Sequence, residues 1–235
     1  MEIITLFDNY LHNPELKTEW GFSCLIEGLE KTILVDTGSD GVLLLSNMRK
    51  LDLVTKKIDT IFISHDHWDH TGGLKEILKE NANVDVLALP SFSKNLKSSI
   101  TVTGAHLKEN KGPNKICSHV YSTGTLGAAI EEQSLVIETE KGLVIITGCA
   151  HPGIVNIIKT AKDTLKQNVF LVFGGFHLGG YPHVELKRII EQFQNLGIEK
   201  AGPCHCSGVR CREMFTNAYK GNFVNIGVGK IIEIK

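Results

Sequence analysis

Long hydrophobic runs are missing from this chain: none approaches the roughly 20 residues needed to cross a bilayer, which argues against a helical membrane span. An excess of charge of either sign is missing too. Lys and Arg number 25 against 26 Asp and Glu, for a formal net charge of −1. That leaves no electrostatic footprint for nucleic acid or an anionic membrane. The opening Met1-Glu2-Ile3-Ile4-Thr5 has neither the basic start nor the apolar core of a secretory signal, and a cytoplasmic location is the expectation. Cysteine is too sparse and too unevenly placed for a disulfide framework: there are six in 235 residues, three of them crowded at Cys204, Cys206 and Cys211. No internal repeat, low-complexity tract or linker interrupts the chain. With 42% hydrophobic and 22% charged residues, residues 1–235 read as one compact domain.

What the chain does have is histidine in one place. Ser64-His65-Asp66-His67-Trp68-Asp69-His70-Thr71-Gly72-Gly73 packs three imidazoles and two carboxylates into six consecutive positions. They follow the apolar run Ile61-Phe62-Ile63, so the cluster stands at the end of a buried strand, where desolvating unpaired polar groups is costly. A divalent metal removes that cost, because neutral imidazole and carboxylate are its natural donors. His65 and His67 can reach one ion from a strand-to-loop turn; Asp69 and His70, farther round, can reach a second.

Around this cluster the pattern is strand-rich at first and then alternates strand with helix. Residues 2–7, 22–27 and 31–35 read as strands, with Gly28-Leu29-Glu30 closing a hairpin. Residues 41–51 carry Val42, Leu45 and Met48 at helical spacing, Lys56 to Ile63 is a strand, and His70 to Glu80 a helix. Residues 90–120 are polar and irregular and read as a loop-rich insertion with one or two strands, not a separate domain, either a lid or a plain surface segment. The second half gives a hairpin of 134–139 and 143–147, then helix 153–166, strand 169–173, helix 183–196, strand 199–203, helix 207–219 and a closing strand pair near 222–234. Three of its strands run into histidine: Gly148-Cys149-Ala150-His151, Gly174-Gly175-Phe176-His177 and Gly202-Pro203-Cys204-His205. Any one of them could be a packed core imidazole; three at equivalent strand ends point to a site.

The H-x-H-x-D-H run with Thr71-Gly72-Gly73, preceded by Leu34-Val35-Asp36-Thr37-Gly38, resembles the metallo-β-lactamase superfamily. The resemblance implies an α+β fold, the four-layer αβ/βα sandwich, with a dinuclear metal site. It assigns His205 to the second metal, beside Asp69 and His70. Gly148-Cys149 stands where most members have Gly-Asp, so Cys149 is either a ligand or a buried small thiol in a tight turn. The histidine usual before the hairpin strand is absent from Ala129-Ile130-Glu131-Glu132-Gln133. His151 is expected to fill that vacancy beside His65 and His67, with Glu132 as the alternative donor. The combination Glu132-Gln133, Gly-Cys-Ala-His, Gly-Gly-Phe-His and Gly-Pro-Cys-His-Cys looks like one branch, named as metal-dependent hydrolases of β-lactamase superfamily II. Some of its members are named as 7,8-dihydropterin-6-methyl-4-(β-D-ribofuranosyl)-aminobenzene-5′-phosphate synthase.

The expected chemistry is hydrolysis of a small ester or phosphorylated metabolite by a metal-bound hydroxide. Two divalent ions are expected, zinc first, with manganese or iron as alternatives. Asp69 would orient the hydroxide or take its proton, and Asp36 would hydrogen-bond the histidine loop and fix ring orientation. With six ligand positions filled, His177 is expected to act on the substrate or leaving group; a metal ligand in place of His151 and a packed histidine are the other readings. Alternation along a strand turns Cys204 and Cys206 away from His205 and favours packing over a thiolate cluster. An iron-dependent oxidoreductase and the synthase reaction remain the alternative activities. A non-catalytic metal-stabilised binding protein fits less well, because structural zinc sites leave no open position.

Overall fold

The computed structural model describes residues 1–234. Where the sequence suggests one domain, the chain divides into two compact units: Met1–Gly112 with the stretch from Gly227 onward, and Pro113–Ile226. Nothing in the composition at Gly112-Pro113 marks that division.

The first unit is built on a seven-stranded sheet. Its strands are β1 (Glu2–Phe7), β2 (Ser23–Glu27), β3 (Ile33–Val35), β4 (Thr60–Phe62), β5 (Asp85–Ala88) and β6 (His106–Glu109), with the late strand Ile231–Glu233 outside β1. Strands β1 to β3 pair antiparallel, and β3 to β6 run parallel. Helix α1 (Gly41–Lys50) begins at Asp40, whose carboxylate accepts from the amides of Val42 and Leu43 at 2.7 and 3.0 Å. Its Leu44, Leu45 and Met48 join Leu34, Ile61 and Val86 of the sheet in one apolar cluster.

The helix expected over 70–80 is two pieces, α2 (Trp68–Thr71) and α3 (Leu74–Glu80). A Cβ on Gly72 would lie 2.3 Å from the Ser39 carbonyl oxygen, and one on Gly73 2.3 Å from that of Thr37. Backbone therefore packs on backbone at this break, and only glycine fits. The strand expected over 56–63 is also shorter, because Thr55–Lys57 forms a 3₁₀ turn.

The second unit holds a six-stranded sheet: β7 (Asn114–Cys117), β8 (Val120–Ser122), β9 (Leu135–Thr139), β10 (Gly142–Thr147), β11 (Val169–Gly175) and β12 (Lys200–Cys204). Strands β10, β11 and β12 are parallel neighbours, in register through Thr147, Gly174 and Pro203. Helices α5 (Ile154–Leu165), α6 (His183–Asn195) and α7 (Val209–Tyr219) belong to this unit. The rings of Phe176, Phe193 and Phe215 pack with centroids 5.1 to 5.8 Å apart, anchoring the end of β11 against α6 and α7.

Two expectations are corrected here. Residues 90–120 hold the expected strands, β6, β7 and the start of β8, but they are not mainly loop, because helix α4 (Lys94–Thr101) precedes those strands. The strands are short, and β6 is a largely exposed His-Leu-Lys-Glu edge strand, so it carries no apolar alternation to read. Among the described residues no strand pair forms near 222–234. Ile231–Glu233 pairs with β1, while Phe223 makes only an isolated bridge to Ala201. No helix of the described residues is long and apolar enough to cross a membrane.

Candidate metal centre

In the first unit the donors follow β4, and one buried carboxylate organises them. Asp36 is fully buried at the end of β3 with φ of 53°, a left-handed conformation that costs a non-glycine residue energy. Its Oδ1 accepts from the Ser64 amide at 2.7 Å. Its Oδ2 accepts from the Ser64 hydroxyl at 2.7 Å and meets His70 Nδ1 at 2.7 Å. The tautomers follow from these contacts. A carboxylate can only accept, so His70 carries its proton on Nδ1 and leaves Nε2 a lone pair. The Ser64 hydroxyl spends its proton on Asp36, so its oxygen accepts from His65 Nδ1, 2.9 Å away. His65 is thereby left with a lone pair on Nε2.

That Nε2 lies 3.1 Å from His67 Nδ1. Two imidazole nitrogens on one tetrahedral zinc stand about 3.3 Å apart, given Zn–N bonds of about 2.05 Å. The pair is therefore set at ligand spacing. Asp69 Oδ2 sits 3.8 Å from His70 Nε2 and accepts the indole N–H of Trp20 at 2.9 Å. The donor set, borderline imidazole with carboxylate, fits a divalent transition metal. Asp66, the other carboxylate of the run, points elsewhere and accepts the Ser93 amide at 2.6 Å.

In the second unit the donors stand beyond β10, β11 and β12. Glu132 is fully buried and gathers the loop after β10. Its Oε1 accepts from the amides of Gly148, Cys149 and Ala150 at 3.1, 3.0 and 2.9 Å, and its Oε2 from that of His151 at 2.9 Å. These four bonds make Glu132 the anchor of the turn that presents Cys149 and His151. The structure gives the alternative donor of the sequence reading this other occupation.

His177 and His205 both adopt left-handed backbone, with φ of 54° and 47°. Such strain at strand ends is typical of functional positions. His205 is buried, whereas His177 is exposed with its ring 4.4 Å from that of His151. One ligand atom from each of Cys149, His177 and Cys206 lies within 4.8 Å of the others. Gly175 makes room for this group, since a Cβ there would stand 2.7 Å from the Cys206 sulfur. Burial alone would raise the Cys206 thiol, but hydrogen bonds with Cys149 and His177 and the charge of His205 outweigh it and hold the thiol well below the usual range. Cys211 is buried in the aromatic cluster, and burial pushes its thiol up to about 12.

Of the residues that the sequence named, the structure brings His65 beside His67, Asp69 beside His70 and His151 beside His177, and gives Asp36 the expected hydrogen bonds to the histidine loop. Sequence reasoning missed Ser64, Trp20 and the anchoring by Glu132. Only Ser64 had a local signal, its place between β4 and the first histidine.

The sheets, helices and histidine run define the class: the chain belongs to the metallo-β-lactamase superfamily. The family model of that description matches residues 21–90. A 7,8-dihydropterin-6-methyl-4-(β-D-ribofuranosyl)-aminobenzene-5′-phosphate synthase of Methanocaldococcus jannaschii is 31% identical over 99% of this chain and 96% of the relative. The crystal structure of a metal-dependent hydrolase of the β-lactamase superfamily matches with a TM-score of 0.84 at 27% identity, covering 100% of this chain and 99% of the other. Ribonuclease Z of Streptococcus mutans is similar over a shorter stretch, 29% identical over 54% of this chain and 37% of the relative.

Proposed function

We infer that the chain is a dinuclear metal-dependent hydrolase of a small ester or phosphorylated metabolite. In this reading His65, His67 and His151 hold one divalent ion and Asp69, His70 and His205 the other, with Cys149 an alternative donor to the second. Zinc is the first choice of metal, ahead of manganese and iron. Bound there, the ions would bring the pKa of a shared water toward 7 and polarise the bond under attack. The observation that carries the reading is the pair of fixed lone pairs on His65 and His70, each set by a hydrogen bond on the ring's far side.

The chain's own groups supply the remaining chemistry. Asp69, steadied by the Trp20 indole on Oδ2, is the carboxylate that orients the attacking water or receives its proton. Exposed His177 is the group that protonates the leaving atom or holds an anionic substrate oxygen. The balanced net charge favours a small metabolite over a polyanion, since a nucleic-acid enzyme must neutralise many phosphates.

The full-length similarity to a synthase favours one second reading, the reaction that relative's name describes. That name contains a phosphate ester on a ribofuranosyl-aminobenzene, which fits the phosphorylated-metabolite reading. Elemental analysis of chelator-free protein is expected to give near two equivalents of metal, and His205→Ala to lose one. His177→Ala is expected to keep both while turnover of a phosphate-ester panel falls about 10²-fold or more. No hydrolysis in zinc-, manganese- and iron-loaded forms would shift the assignment to the synthase or oxidoreductase alternatives. Tight, salt-dependent RNA binding would sink the metabolite reading.

A further inference from the structure

We propose that Cys149, His177 and Cys206 form a further thiolate–imidazole site for a thiophilic cation, which engages Cys149 in place of its alternative role at the second metal and takes His177 away from the substrate when filled. The site follows from strand order. Thr147, Gly174 and Pro203 share one rung across β10, β11 and β12. Cys149 stands two residues beyond that rung, and His177 and Cys206 each three. Neighbouring strands are about 4.8 Å apart, so side chains leaving three adjacent strands at this depth converge. Their donor atoms do so, all within 4.8 Å of one another.

On a tetrahedral ion with bonds of about 2.3 Å to sulfur and 2.05 Å to nitrogen, the donors would stand about 3.6 to 3.8 Å apart. Side-chain rotation of about 1 Å closes the difference. Two sulfurs and one imidazole select a soft or borderline ion such as Zn²⁺, Cd²⁺ or Cu⁺ over Mg²⁺ or Mn²⁺. Cys149 is buried and Cys206 partly buried, while His177 is exposed. The ion would thus keep an open, solvent-facing position, as three-ligand sites do. Both sulfurs bind as thiolates, and any thiol proton still present is released to solvent.

The inhibitory consequence rests on the reading of His177 as the substrate-facing group; the binding itself does not. Cys206 belongs to neither ligand set proposed above, so its substitution separates the two. Protein holding two equivalents of zinc, titrated with Cd²⁺ under reducing conditions, is expected to take one further equivalent, with a near-ultraviolet thiolate-to-cadmium band, and to lose activity in step. Cys206→Ser is expected to lose that equivalent, most of the band and the inhibition, while keeping basal turnover. On the wild-type protein, Cd²⁺ is expected to protect Cys206 from iodoacetamide, read by mass spectrometry. Unchanged cadmium uptake and absorption in Cys206→Ser, or unchanged alkylation of Cys206, would overturn the site. A protein with no hydrolytic activity but a Cys206-dependent cadmium band would keep the site and discard the hydrolase reading.

Discussion

Glu132 shows how much one side chain can fix. It is fully buried, yet its carboxylate reaches amides 16 to 19 residues ahead and draws Gly148 to His151 into a single turn. Hydrogen bonds to a charged acceptor are the strong kind, about 1.5–3 kcal/mol each before cooperativity is counted. Glu132→Gln keeps the shape but turns an NH₂ group toward at least one amide, so donor meets donor. The expected result is a lower melting temperature, faster hydrogen exchange at the amides of 148–151, and metal affinity weakened by roughly tenfold, the equivalent of about 1.4 kcal/mol. Equilibrium dialysis and exchange mass spectrometry would measure both. Unchanged exchange would show that the turn holds without the carboxylate. Asp36 plays the same part in the first unit, and there the service was legible, because the motif placed it one strand from the histidines. Glu132 read only as a stand-in ligand, since its real partners are distant in sequence and are backbone.

Among the elements, the edge of the first sheet carries the clearest pH dependence. Asp85 on β5 meets Lys31 at 3.1 Å, Lys108 of β6 at 2.7 Å and His106 at 3.6 Å. Burial alone would raise its carboxyl, but hydrogen bonds and charge from Lys108 and Lys31 outweigh it and hold the group below the usual carboxylate range. A folded pKa below the unfolded value gives stability that is fully present above the unfolded pKa of about 3.9. It is lost as pH falls through the folded value. Urea unfolding of the chain and Asp85→Asn should therefore differ between pH 5 and 7 and converge as pH drops below about 4. A gap that stays constant through that range would remove the ion pairs from the account. Element boundaries were legible wherever apolar spacing was regular, as in α1, the β9–β10 hairpin and α6. They failed at β6, where charge masks the strand. Alternation also failed beyond β12: the strand stops at Cys204, and a 3₁₀ turn with left-handed His205 follows. Period-two reasoning could not place Cys206 past that point, and its grouping with Cys149 and His177 went unseen.

For the molecule as a whole, the two ions of the proposed function should be a large share of its stability. An ion present at 100 times its Kd adds about 2.7 kcal/mol, and for a chain of this size each kcal/mol moves Tm by about 2–4 °C. Chelation of both ions is expected to lower Tm by roughly 10–20 °C, restored by zinc; a calorimetric trace indifferent to chelator would count against the proposed ions. The pairing of β1 with Ile231–Glu233 has a different consequence, one of timing. Glu2 lies opposite Glu233 across the sheet, on the side of β1 away from β2, so the outer partner of β1 is synthesised 231 residues later. At about 5–20 residues per second that is roughly 10 to 50 s. Through that interval Ile3 and Ile4 present an unpaired edge on the ribosome-bound chain, and an open apolar edge invites pairing with other chains. That edge closes only once Ile231–Glu233 has emerged, and until then it is the surface a chaperone would have to shield.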